Sequence, residues 1–103
     1  MKLKNNYKYI GDDRWDWELY IDSNNPEELS SIREVKYILH PTFKNPVRTV
    51  KKEEGGFRLK SNGWGTFETK AMVYLNNGEK LSLKHDLELQ YPDTDYESDV
   101  NIE

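Results

Sequence analysis

The chain has 103 residues, enough for one domain with a single modest core. Apolar residues are 35% and charged residues 33%, a balance close to disorder, but 13% are Trp, Tyr or Phe, and large rings bury enough area to offset chain entropy. A net charge of -4 offers no cationic field for nucleic acid, no apolar run is long enough to span a membrane, and the lack of cysteine excludes disulfides and thiolate chemistry.

Residues 1–6 are short and basic and are expected to fray. The start also lacks an apolar leader, which together with the missing cysteine points to a cytoplasmic protein. Tyr7 and Tyr9 predict a short first strand ending in a Gly11-Asp12-Asp13 turn. Trp15, Trp17, Leu19 and Ile21 then alternate with polar residues, the period of a half-buried strand. Asn25 before Pro26 predicts an N-cap and one helical turn over residues 27–31. Val35, Tyr37 and Leu39 mark the next strand, and Pro41 and Pro46 force a loop after it. Residues 47–50 read as a short strand, and Phe57 and Leu59 as another. Asn62-Gly63-Trp64-Gly65 predicts a turn whose two glycines are free to take positive φ. Phe67, Thr69, Ala71, Val73 and Leu75 share one face of a long strand. Asn77-Gly78 suits a type I′ hairpin turn, and Leu81, Leu83, His85, Leu87 and Leu89 form the return strand.

Seven or eight short strands with hardly any helix read as an all-β chain, an immunoglobulin-like antiparallel β-sandwich over residues 7–90. Residues 90–103 hold five acids and no base, which leaves 14 acids against 15 bases in the rest. Residues 91–103 are therefore read as an acidic, flexible tail on a nearly neutral body.

The chemistry narrows quickly. His40 and His85 are the only histidines and lack metal-ligand spacing, so no metal or other cofactor is expected. His85 reads as a strand residue with a local hydrogen bond. No Gly-x-Ser-x-Gly elbow marks an activated serine, and a small strand-rich chain has little room for a catalytic cleft, so no enzymatic activity is expected. Two loops carry the signal: Leu39-His40-Pro41-Thr42-Phe43 and Gly63-Trp64-Gly65-Thr66-Phe67. Each places an aromatic ring among residues that shape backbone. Facing rings of Phe43 and Trp64 would form a slot for a flat group. Backbone N–H groups around Gly63 and Gly65 would donate to a carbonyl, and Thr42, oriented by His40, would accept from an N–H. Such a slot fits a secondary amide. The same aromatics also fit core plugs or turn caps, and Phe67, heading a strand, reads as core in either case.

Taken together, the Leu-His-Pro-Thr-Phe and Gly-Trp-Gly-Thr-Phe stretches, the doubled Trp15 and Trp17, the residues 45–48 (Asn-Pro-Val-Arg) and the closing His85-Asp86-Leu87 resemble the YEATS family, and the compact length resembles its prokaryotic branch. The resemblance implies an immunoglobulin-like fold that recognises acylated lysine on a peptide or protein, with no direct nucleic-acid or membrane contact. It implies that Phe43 and Trp64 sandwich the acyl-amide, that Thr42 bonds the lysine amide, and that the Trp64 backbone N–H meets the acyl oxygen. It further implies that His40 and Phe67 support the pocket, that Gly63 and Gly65 leave its far end open, and that Asp86 meets a basic peptide flank. The alternative is a protein–protein interaction or sensor module of a prokaryotic signalling or defence system with an unrelated ligand.

Overall fold

Trp15, Trp17, Leu19 and Ile21 are all buried, as their alternation predicts, and the two layers of the molecule close on that stripe. The computed structural model describes residues 1–51 and 57–92. In chain order the elements are β1 (Lys2–Gly11), β2 (Arg14–Asp22), α1 (Pro26–Ser30), β3 (Ile32–Ile38), β4 (Val47–Lys51), β5 (Leu59–Gly63), β6 (Glu68–Leu75) and β7 (Lys80–Asp86). One sheet has the order β1-β2-β5 and the other β4-β3-β6-β7. Every neighbouring pair is antiparallel. Leu3, Trp17, Leu19 and Ile21 of the first sheet meet Ile32, Val35, Tyr37, Ala71 and Val73 of the second in one core. The sandwich expected from the sequence is present.

Residues 2–6 are paired where fraying was expected: they form the outer half of β1, with Leu3 buried opposite Ile21. Asn5 explains the attachment: its amide donates to the Glu88 carbonyl at 2.9 Å and accepts the Glu88 N–H at 3.0 Å and the His85 Nε2–H at 2.6 Å. A strand end that buries one leucine and ties down one amide shows no alternation, so composition alone reads it as loose. His85 has the local hydrogen bond its strand position implied. The folded body also extends beyond residue 90. Trp15 Nε1 donates to the Gln90 carbonyl at 2.9 Å, the Tyr91 ring packs edge-on against Trp15, and the Tyr91 hydroxyl donates to Asp13 at 2.6 Å. Residues 93–103 of the expected tail lie outside the described residues.

The turn expected at Gly11-Asp12-Asp13 is present, whereas the β6–β7 turn differs in type from the expectation. The positive backbone angles of a type I′ turn fall on Asp12 and Asp13, at φ 53° and 57°, between the paired Gly11 and Arg14. At the β6–β7 connection only Gly78 has positive φ, at 92°. Asn77 Oδ1 accepts the Glu79 N–H at 2.9 Å, a local side-chain bond typical of asparagine in turns. Leu75 N–H donates to Glu79 O and Gly78 N–H to Leu75 O, which makes a three-residue loop with glycine in the left-handed position. The helical turn follows its sequence signal, with Asn25 Oδ1 accepting the Glu27 N–H at 3.0 Å and Pro26 opening the helix.

Phe57 stands before β5 instead of inside it. Its φ of 64° is unusual for a residue with a side chain, and its ring is buried. The fully buried Tyr37 donates its hydroxyl to the Phe57 carbonyl at 2.5 Å and holds this conformation. Burial pushes the Tyr37 phenol well above its ordinary range. In the unfolded chain a tyrosine ionises near pH ~10, so above that pH the unfolded state releases a proton that the folded state retains. Stability is therefore complete below about pH 10 and falls as pH rises. Melting temperatures between pH 8 and 11 should fall more steeply for the wild type than for Tyr37→Phe. That variant should lose about 1 kcal/mol at pH 8 through the missing hydrogen bond. Parallel slopes for the two proteins would mean that Tyr37 does not govern the alkaline limit.

Candidate functional site

The loop after β3 is anchored by buried Leu39, whose N–H donates to the Pro46 carbonyl at 2.7 Å. Inside it the Phe43 N–H donates to the His40 carbonyl at 3.0 Å. Pro41 takes the second position of that turn, where its restricted φ is already correct. The turn leaves His40 and Thr42 exposed and sends Phe43 inward. The Phe43 ring lies 5.2 Å from Phe67 and 6.0 Å from Trp17, and Phe67 lies 6.1 Å from Trp17, all between ring centres. These tilted and edge-on contacts fix the inner wall of the site. Phe67 precedes β6, and its carbonyl accepts the Leu87 N–H at 2.9 Å.

His40 Nδ1 accepts the Thr42 N–H at 3.2 Å and lies 2.9 Å from Thr42 Oγ1. A ring nitrogen that accepts carries no proton, so in the neutral ring the proton sits on Nε2 and the threonine hydroxyl donates to Nδ1. The lone pairs of Thr42 Oγ1 are thereby left to accept from a ligand. The second loop begins where β5 ends, at Gly63 opposite Trp15. Trp64 is 73% exposed and makes no ring contact among the described residues. Its ring has not collapsed onto the sandwich.

Between the two loops lies an open groove of about 550 Å³. Behind its inner wall, Trp17 Nε1–H is buried without an acceptor among the described residues. Arg14 and Lys44 also line the groove, and none of its lining residues is acidic. Just outside, the Arg48 guanidinium lies 5.9 Å from the Phe43 ring centre and donates to the Lys44 and Asn45 carbonyls.

The family model of the prokaryotic YEATS domain matches residues 15–88. The chain belongs to the YEATS family. Among curated relatives, it is 33% identical over 93 residues to Transcription initiation factor TFIID subunit 14 of Schizosaccharomyces pombe, covering 84% of this chain and 36% of that one. It is 34% identical over 77 residues to Protein AF-9 homolog of Kluyveromyces lactis, covering 71% and 34%. The chain thus spans about a third of the length of these relatives. Among solved structures, the Yaf9 YEATS domain bound to H3K27ac superposes with a TM-score of 0.73 at 27% identity, covering 87% of this chain and 71% of that one. The Yaf9 YEATS domain recognizing H3K122suc peptide superposes with a TM-score of 0.67 at 28% identity, covering 84% and 68%.

Of the eight site residues that the YEATS resemblance implies, His40, Thr42, Phe43, Gly63, Trp64, Gly65 and Phe67 line the groove. Asp86 does not. It ends β7 on the exposed outer face of its sheet, opposite Glu68. The two YEATS-loop glycines act differently from the expectation, because neither has positive φ. Their contribution is empty space: a Cβ on Gly65 would meet nothing within 4 Å, and one on Gly63 would stand 3.8 Å from Trp17 Nε1, an ordinary contact. Sequence reasoning missed Arg14, Lys44, Asn62 and Thr66. Their only signal is adjacency to Trp15, Phe43, Gly63 and Phe67, which does not tell where a loop side chain points.

Proposed function

We propose that this YEATS domain is a non-enzymatic binding module whose groove receives an acylated lysine side chain from a peptide or protein. The observation that carries the reading is the pairing of His40 with Thr42 beside Phe43 and Trp64 in one groove. The Thr42 oxygen would accept the N–H of the lysine amide, and the Trp64 backbone N–H would donate to the acyl oxygen. The rings of Phe43 and Trp64 would stack on the planar amide. An unmodified ammonium would lose hydration between the rings, with only partial compensation from cation–π contact. A neutral amide keeps both hydrogen bonds and stacks, so acylation should raise affinity. Crotonyl is planar throughout and should surpass acetyl, since no side chain at Gly65 closes the groove. The Yaf9 structures with H3K27ac and an H3K122suc peptide support the acyl-lysine class for relatives with this fold.

Calorimetric titration of crotonyl-, acetyl- and unmodified lysine peptides tests the reading. The expected order is crotonyl, then acetyl, then unmodified, with at least tenfold between the first and last. No binding at millimolar peptide, or equal binding of the unmodified one, would overturn it.

A further inference from the structure

Among the residues that line the groove, the charged ones are all cationic. Arg14 enters from the β1–β2 hairpin, and Lys44 follows Phe43 in the other loop. Arg48 stands beside them, over the Phe43 ring. Arg14 and Lys44 are exposed, and none of the three cations forms an ion pair with a carboxylate among the described residues. Some cations elsewhere are paired, such as Lys4 with Asp22 at 2.9 Å and Arg58 with Glu18 at 2.6 Å. No acid lines the groove, and Asp86, the residue assigned by resemblance to a basic flank, lies on the outer face of the four-stranded sheet.

We infer that the peptide presenting the acyl-lysine to this groove is acidic around the modified residue. The inference rests on the acyl-lysine reading above and adds the charge of the partner. Acetylation or crotonylation leaves the inserted side chain neutral, so with these acyl groups Arg14 and Lys44 have no charge to answer within the slot itself. The residues on either side of the inserted lysine are the ones that pass over the lip. Aspartate or glutamate there would pair with the cations at close range, whereas lysine or arginine would face like charge. The pairs would be solvent-exposed, so the preference should be moderate and should weaken with salt as the screening length shrinks.

The test uses the full chain and three peptides of equal length: crotonyl-lysine with two aspartates on each side, crotonyl-lysine with two lysines on each side, and the aspartate peptide with its central lysine unmodified. At about 50 mM salt the acidic crotonyl peptide should bind about tenfold tighter than the basic one, and the ratio should shrink at about 0.5 M. The doubly substituted Arg14→Gln, Lys44→Gln protein should bring the ratio close to one. Both side chains are exposed, so a circular-dichroism melt should show the variant folded. A ratio near one in the wild type, a preference for the basic peptide, or a ratio unchanged in the variant overturns the inference and leaves the acyl-lysine reading standing. Absence of binding by both crotonyl peptides, or equal binding of the unmodified acidic peptide, overturns both.

Discussion

Replacing Trp64 with alanine should weaken crotonyl-lysine binding by at least tenfold while leaving the protein folded. The two halves of this expectation rest on the same fact. Trp64 is 73% exposed and touches no other ring among the described residues, so the sandwich does not depend on it. Exposed substitutions of this kind change stability by within about 0.5 kcal/mol. For a domain of this length that is a shift in melting temperature of roughly 4 °C at most. A ligand clasped between Trp64 and Phe43 loses one of its two apolar faces. Central aromatic residues in binding sites typically cost about 2 kcal/mol or more on truncation, which corresponds to roughly thirtyfold in affinity. Trp64→Phe should recover part of the loss because a flat ring remains. Wild-type affinity in Trp64→Ala would place the ligand elsewhere.

Trp17→Ala should damage the protein more than any change at the rim of the groove. The ring is 2% exposed and stands behind Phe43 and Phe67, one from each loop of the groove. Truncating a buried tryptophan costs about 3–5 kcal/mol through lost burial and the cavity left behind. A small domain has only about 5–15 kcal/mol in total. Urea unfolding should therefore show a strongly lowered midpoint with little change in slope. Affinity should fall as well, because both inner-wall rings lose their backing. Trp17→Phe separates the contributions. Trp17 Nε1–H has no acceptor among the described residues, so its removal breaks no hydrogen bond there. The phenylalanine variant should thus retain a large part of the stability and of the binding. A loss below about 1 kcal/mol in Trp17→Ala would show that the aromatic cluster is not what joins the two loops.

The fold was legible in the sequence wherever a strand buries one face. The run from Trp15 to Ile21 and the set Thr69, Ala71 and Val73 alternate because every second side chain enters the core. Asn25-Pro26 was legible for a different reason: a cap is made by residues adjacent in the chain. The type I′ assignment at Asn77-Gly78 failed because the strands pair across Leu75 and Glu79, which makes the loop three residues long and leaves only Gly78 with positive φ. The loop motifs pointed to seven of the groove's lining residues, while Asp86, at the end of β7, does not line it.

The sequence by itself determined the all-β class, the buried stripe of β2 and the two aromatic loops, because alternation and turn residues are local properties that a strand must satisfy wherever it lies. Only the tertiary structure decided that residues 2–6 belong to β1, since Leu3 and Asn5 are held by Ile21, His85 and Glu88 from distant parts of the chain. It also decided that Phe43 turns inward while Trp64 stays exposed, and that Arg14 and Lys44 meet in one groove whose lining holds no acid. Loop side chains take their directions from what packs beneath them, here Trp17 and Phe67, and that packing exists only once the two sheets have closed.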